Sequence, residues 1–324
     1  MIEKVVKNLY RIKIPLPRNP LKYVNSYLIK DKTRSLIVDT GFNMDECYME
    51  MIDALRVLHV KPDKTDFFIT HLHADHFGLI DRIASQSNVL VSSVEAPIAV
   101  EAIENPDYWI EIANFLEMNG FPSEELTNIL KYHPGIRYNS TRTELQPVSD
   151  GEMLEYGDFS LSVILTPGHS PGHVCLYEPE KKLFFSGDHI LFDITPNITW
   201  WPSLDNSLEE YLKSLEKVYE LDVVATLPGH RNIYRNHRMR IKEIKEHHNQ
   251  RLSEALNALR KGAKTAWEVA PHISWDIKFK EWDELPITQK WFAVGETIAH
   301  LIYLEKKRIV AREERDGSFL FFPV

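Results

Sequence analysis

Apolar residues along this chain recur in two rhythms, and the switches between them outline the fold. Residues 4–14, 23–30 and 35–39 alternate or cluster apolar positions between turn signals at Pro15-Leu16-Pro17 and Lys30-Asp31-Lys32. That pattern predicts successive strands of a meander. Met44, Tyr48, Met51, Leu55 and Leu58 then follow helical spacing behind an acidic first turn, which suits a helix dipole. The short run Phe67-Phe68-Ile69-Thr70 reads as a buried strand (66–70), a helix follows through Leu79 to Ile83, and Asn88-Val89-Leu90-Val91 reads as the next strand. Strand–helix–strand alternation predicts α/β packing here. From Thr143 to Asp188 the rhythm is β throughout, with turns at Asp150-Gly151 and Tyr156-Gly157-Asp158. A helix from about Asn206 to Leu221 precedes the strand Val223–Leu227. Periodicity alone establishes mixed α and β.

Two further stretches stand apart. Residues 94–142 look helical and rich in large side chains, among them Tyr108, Trp109, Phe115, Phe121 and Tyr138, with breaks at Pro106, Pro122 and Pro134. From Asn236 the chain becomes a long charged helix, Arg238 through Arg260, with a stripe at Ile241, Ile244, His248, Leu252, Leu256 and Leu259. Gly262 stops it. Thr265, with Glu268 three residues on, reads as a capping box. A helix over 288–305 and a hairpin about Asp316-Gly317 complete the chain.

Composition bounds the class. The 324 residues suit one large domain and a small one, and 44% hydrophobic with 26% charged residues is ordinary for a globular protein. No apolar run reaches the length needed to span a bilayer. The stretch Met1 to Lys7 lacks the features of a signal peptide, and Cys47 and Cys175 form neither a disulfide framework nor a Cys-x-x-Cys clip. A cytoplasmic setting is therefore expected. The net charge of −9 is unevenly spread: residues 231–324 hold 18 Lys and Arg against 13 Asp and Glu, leaving the first 230 with 20 against 34. The acidic part discourages polyanions, while the basic tail keeps nucleic acid open as a partner.

The chemistry concentrates in His71-Leu72-His73-Ala74-Asp75-His76, directly after the predicted strand. In an extended register His71 and His73 leave the same face and can grip one ion, while Asp75 and His76 fall where a helix begins and can reach a second. Potential partners end further apolar strands: His169 in Pro167-Gly168-His169-Ser170-Pro171-Gly172-His173, Asp188 in Ser186-Gly187-Asp188-His189, and His230 in Pro228-Gly229-His230. Glycine beside each lets the backbone approach closely.

These motifs resemble the metallo-β-lactamase superfamily, and within it the glyoxalase II-like hydrolases that carry two metals. The resemblance covers roughly residues 1–235 and implies an αββα sandwich, an α+β fold. It implies that His71, His73 and His169 bind one metal, that Asp75, His76 and His230 bind the other, and that Asp188 bridges them. Asp39, in Val38-Asp39-Thr40-Gly41, matches the family's early aspartate, which supports an imidazole or its loop rather than binding metal. Residues 94–142 occupy the place of a variable insertion, read as a lid, and Phe192, Trp200 and Trp201 are read as pocket walls. Residues 236–324 resemble a winged-helix domain, a shape that serves packing, homodimerisation or nucleic-acid binding.

Departures from particular relatives narrow the reading. The commonest β-lactamases carry cysteine where Asp188 stands, flavodiiron proteins carry glutamate where His73 stands, and acyl-homoserine lactonases carry a tyrosine just after the bridging aspartate. This chain has His189-Ile190-Leu191-Phe192 there. The expected function is a binuclear metal-dependent hydrolase that uses a metal-bridging hydroxide on a small ester-like substrate, a thioester above all. Asp75 and Asp188 are its catalytic carboxylates, and the two divalent ions are expected to be zinc, with iron or manganese as alternatives. An endoribonuclease and a mononuclear iron persulfide dioxygenase stand as the alternative functions. No membrane partner is expected.

Overall fold

The structure, a computed structural model, describes residues 1–275 and 281–324. Its first four strands are antiparallel neighbours: β1 (Ile2–Val6), β2 (Leu9–Pro15), β3 (Tyr23–Ile29) and β4 (Ser35–Val38). The stretch 4–14, expected as one strand, is two. Asn8 takes a left-handed conformation (φ 65°), which asparagine tolerates, and the chain reverses there.

Helix α1 (Asp45–Val57) leads to β5 (Thr65–Phe68), after which α2 (Ala74–Phe77) and α3 (Ile80–Ile83) form a broken helix in place of the continuous one expected. Strand β6 (Val89–Ser92) is followed by the helical insertion α4 (Glu95–Glu104), α5 (Tyr108–Met118), α6 (Ser123–Tyr132) and α7 (Pro134–Arg137), then β7 (Gln146–Val148). β4, β5, β6 and β7 pair in parallel, completing a seven-stranded sheet in sequence order.

The second sheet has the order β12-β11-β10-β9-β8. Strands β8 (Met153–Tyr156), β9 (Phe159–Leu165), β10 (Val174–Glu178) and β11 (Leu183–Gly187) run antiparallel. Helix α8 (Ser207–Tyr219) then returns the chain to β12 (Ala225–Pro228), parallel to β11.

Three cores make this an αββα sandwich. Leu36, Val38 and Phe68 of one sheet meet Leu161, Val163, Leu176 and Phe185 of the other between the sheets. The outer face of the first sheet buries Ile37, Phe67 and Ile69 against Met51, Leu55, Phe77 and Ile80. The outer face of the second buries Cys175 and Phe184 against Leu208, Tyr211 and Leu215. Side chains alternate along each strand, so each sheet presents an apolar set to both sides.

The rest of the chain forms α9 (His237–Leu259), α10 (Ala266–Val269), α11 (Ile287–Lys306) and the hairpin β13 (Val310–Arg315) and β14 (Ser318–Pro323). Positive φ at Asp316 (52°) and Gly317 (77°) gives the hairpin turn its twist, and Thr265 and Glu268 form the reciprocal capping box the sequence predicts. These elements share a core with the insertion. Leu116, Phe121 and Ile129 pack with Leu259, Val269, Trp291, Ile298 and Phe321, while Leu252 and Leu256 lie half-buried against the same cluster. Phe115 and Phe121 thus bury against the C-terminal elements, where no local rhythm could have placed them. Among the described residues no helix is long and apolar enough to cross a membrane.

Candidate metal centre

All seven predicted ligands gather at one end of the sandwich, just past the carboxyl ends of β5, β9, β11 and β12. Strand β5 ends at Phe68, so His71 and His73 sit in the loop beyond it rather than on the strand. His71 Nε2 lies 2.9 Å from His73 Nδ1, His169 Nε2 lies 3.0 Å from that nitrogen, and the two Nε2 atoms are 3.3 Å apart. Asp75 Oδ2 is 3.3 Å from His230 Nε2. Asp188 stands between the two groups: Oδ1 is 3.6 Å from His76 Nε2, and Oδ2 is 3.5 Å from His230 Nε2 and 3.8 Å from His169 Nε2. Gly229 permits this approach, because a Cβ there would lie 2.5 Å from Asp188 Oδ1.

The second nitrogen of each ring fixes what the first can do. His169 Nδ1 donates to the Asn197 carbonyl (2.8 Å), His230 Nδ1 to the Tyr23 carbonyl (2.9 Å) and His76 Nδ1 to Asp39 Oδ2 (2.8 Å). The Thr70 hydroxyl donates to Asp39 Oδ2 (2.9 Å) and accepts from His71 Nδ1 (3.0 Å). Each of these four rings, when neutral, therefore turns a bare Nε2 lone pair into the centre.

Those lone pairs are the test of fit for cations. His76 Nε2, His230 Nε2 and Asp188 Oδ1 are buried with no hydrogen-bond partner, and the His71 and His169 lone pairs face each other. Buried polar atoms are rarely left so, and a cation at each group would satisfy them together. Two triads, His71–His73–His169 and Asp75–His76–His230, each bring their donor atoms within 4.8 Å of one another, and Asp188 clusters with His71 and His76.

Charge divides the centre in the same way. Burial, reinforced by the neighbouring imidazoles, pushes His71 well below the usual histidine range, and burial pushes His73 down to about 3 and lowers His169. At His76 and His230 burial acts in the same direction, but the surrounding carboxylates outweigh it and raise both. Burial also opposes ionisation of Asp75 and Asp188, yet the imidazoles beside them hold Asp75 at about 2 and keep Asp188 well below the carboxylate range. Burial thus favours the neutral, donating imidazole in the first triad, while in the second the carboxylates favour the charged imidazole, whose Nε2 proton a metal ion would have to displace.

Around the predicted ligands stand residues whose roles the sequence did not disclose. Glu95, at the start of α4, accepts from Leu72 N (2.7 Å), Gly172 N (3.1 Å) and the Ser170 hydroxyl, clamping the His71–His73 loop to the His169 loop. Burial pushes its carboxyl up to about 7. His173 Nε2 accepts from Asp188 N (3.1 Å) while its Nδ1 bonds Thr166 Oγ1 (2.9 Å), which holds the peptide bearing Asp188. The second Pro-Gly-His of the motif was the available signal for His173; Glu95 had none.

Of the three aromatics read as pocket walls, Trp201 reaches the centre. It stacks on His73 (5.8 Å between centroids, 27°) and donates from Nε1 to the His169 carbonyl (3.1 Å). Trp200 instead stacks on Phe115 (3.7 Å) and Phe192 on Tyr234 (4.4 Å).

Residues 19–230 match the metallo-beta-lactamase superfamily, and residues 252–324 match the metallo-beta-lactamase-like C-terminal domain. The chain belongs to the metallo-beta-lactamase superfamily. It is a metal-dependent hydrolase of that superfamily, with histidine and aspartate clusters of the kind its members use for two metals. Across 99% of its length it superposes on all of a metallo-beta-lactamase family protein from Thermus thermophilus, with a TM-score of 0.85 and 28% identity. It is 29% identical over 227 residues to the human acyl-coenzyme A thioesterase MBLAC2, covering 65% of this chain and 74% of that one. It is also 23% identical over 239 residues to the atrochrysone carboxyl ACP thioesterase of Aspergillus fumigatus, covering 74% and 60%.

Proposed function

We propose that this member of the superfamily is a glyoxalase II-like, binuclear thioesterase that cleaves a small thioester with an apolar acyl part, with zinc as the favoured metal. The observation that carries the reading is Asp188, a buried carboxylate set between two triads of bare ligand atoms. His71, His73 and His169 would hold one ion, Asp75, His76 and His230 the other, and Asp188 both. Two such ions supply water activated at neutral pH, its pKa lowered towards about 7, and positive charge for the oxyanion that develops on the thioester carbonyl.

The chain supplies the rest. Asp75 is a ligand-set carboxylate with some solvent access, its side chain 13% exposed, which suits it to orient the attacking water. Trp201, lying along His73, offers an apolar wall to an acyl chain. The choice of thioester rests on two relatives named as thioesterases, one for coenzyme A esters and one for a carrier-protein ester.

The winged-helix-like tail is proposed as a packing element. Lys306 and Lys307, the start of its basic run, pair with Asp205 (2.6 Å) and Glu209 (3.0 Å), so their charge is largely matched within the chain. That favours thioester over RNA as substrate. The test is a panel of short and medium acyl-coenzyme A thioesters, aliphatic lactones and single-stranded RNA, assayed on protein of defined metal content. Thioester cleavage is expected to lead the panel by at least about tenfold in kcat/KM. RNA cleavage with inert thioesters would replace this reading by the ribonuclease one.

A further inference from the structure

Away from the ligands, a second group of buried ionisable side chains lies between α9 and α11. His248, Glu296 and His300 bring donor atoms within 4.8 Å of one another, as a metal site would. Their hydrogen bonds assign them otherwise. His300 Nδ1 donates to the Glu296 carbonyl (2.7 Å), which leaves its Nε2 to accept from His248 Nδ1 (3.1 Å). Glu296 Oε1 takes the guanidinium of Arg251, and Oε2 takes the Asn197 side-chain amide (2.7 Å). Both carboxylate oxygens are engaged, and Arg251 already supplies the positive charge. Glu296 and Arg251 are 2% and 7% exposed, so this pair is shielded from water.

Asn197 carries the connection onward. Its amide nitrogen also donates to the Phe292 carbonyl (3.3 Å), so both amide hydrogens are tied to α11. Its own backbone carbonyl receives His169 Nδ1 (2.8 Å). The neighbouring loop is fastened to the same helix. Trp200 N donates to the Gly295 carbonyl (3.3 Å), and a Cβ on Gly295 would lie 2.2 Å from Thr199 Oγ1. Two C-terminal helices therefore reach a predicted ligand through one unbroken chain of hydrogen bonds.

We infer that the C-terminal domain sets the geometry of the first metal position through Arg251, Glu296 and Asn197, which act as positioning residues for His169. This rests on the reading of His169 as a ligand of that ion. The Asn197 carbonyl fixes the ring's tautomer and direction, and Glu296 fixes Asn197, so the domain is an arm of the catalytic site. Partners at this remove from a metal tune its affinity through the orientation of the ligand.

The experiment uses the full chain in three forms: wild type, Glu296→Gln, and Arg251→Met with Glu296→Leu, which leaves no buried charge unpaired. Zinc affinity is measured by competition with a chromophoric chelator, cobalt-substituted absorption reports ligand geometry, and Tm is taken on metal-free protein. Both variants are expected to bind one zinc equivalent about tenfold more weakly, with the other equivalent unchanged. The cobalt spectrum of the affected position is expected to shift, and the metal-free Tm of the double variant to stay near that of wild type. Wild-type affinity at both positions in the folded double variant overturns the inference. So does equal weakening of both positions together with a lowered metal-free Tm, because that is a general loss of structure. Wild-type protein that binds fewer than two ions is a separate failure, of the ligand reading itself, and appears in the same titration.

Discussion

Asp188→Asn is expected to lower kcat by about 10³-fold or more while leaving the fold intact. Asparagine keeps the size of the side chain and can still occupy the space beside Gly229. It loses the negative charge that lets one carboxylate face His76, His230 and His169 at once. A metal centre stabilises transition-state charge by several kcal/mol, and about 4 kcal/mol corresponds to about 10³ in rate. The peptide of Asp188 stays anchored, since its N–H donates to His173 whatever the side chain. Circular dichroism and Tm should therefore resemble wild type while turnover collapses. Near-normal turnover with two ions bound would show that Asp188 does not bridge them.

The second large effect is expected at Asp39→Asn. Asp39 has a left-handed backbone (φ 61°), which asparagine also tolerates, so the substitution adds little strain of its own. The chemistry changes more. The carboxylate accepts from His76 Nδ1, from the Thr70 backbone N–H and from the Thr70 hydroxyl, and Thr70 in turn meets His71. An amide in its place puts an NH₂ against one of those donors. The cheapest escape is for His76 to change tautomer, which places a proton on the nitrogen meant for metal. Metal affinity at the His76 position should fall about 10- to 100-fold. Chelator competition on Asp39→Asn would read that loss directly, and wild-type affinity there would remove Asp39 from the support of the centre.

Much of the site could be read from the sequence because four of the seven predicted ligands follow short apolar strands and the other three lie within five residues of His71. His71, His169, Asp188 and His230 sit at such strand ends, and the sandwich brings those ends together. The strands of the first sheet were legible from their short apolar runs between turn signals, apart from the break at Lys7-Asn8, whose polar pair looks like one more beat of a strand. The supporting residues were less visible. Glu95 touches Leu72, Ser170 and Gly172 across 23, 75 and 77 positions, and no periodic pattern marks a contact at such separations. Glu296 lies in the long, largely buried helix α11, where nothing local distinguishes a carboxylate tied to Arg251 and Asn197 from one facing water. The aromatic insertion showed the opposite difficulty. Its large side chains announced burial, but the partners that cover them lie far along the chain, Trp200 stacked on Phe115 and Trp267 and Trp291 against Phe121, a choice made only by tertiary packing.

The number of metal ions bound at saturation bears most directly on the proposed chemistry. Metal-free protein is titrated with zinc while bound metal and hydrolysis of an apolar acyl-coenzyme A thioester are followed together. Two ions per chain are expected, with full activity reached only as the second equivalent is taken up. Saturation at one ion, with no further gain in activity, would contradict the binuclear centre and favour a mononuclear oxidative enzyme in its place.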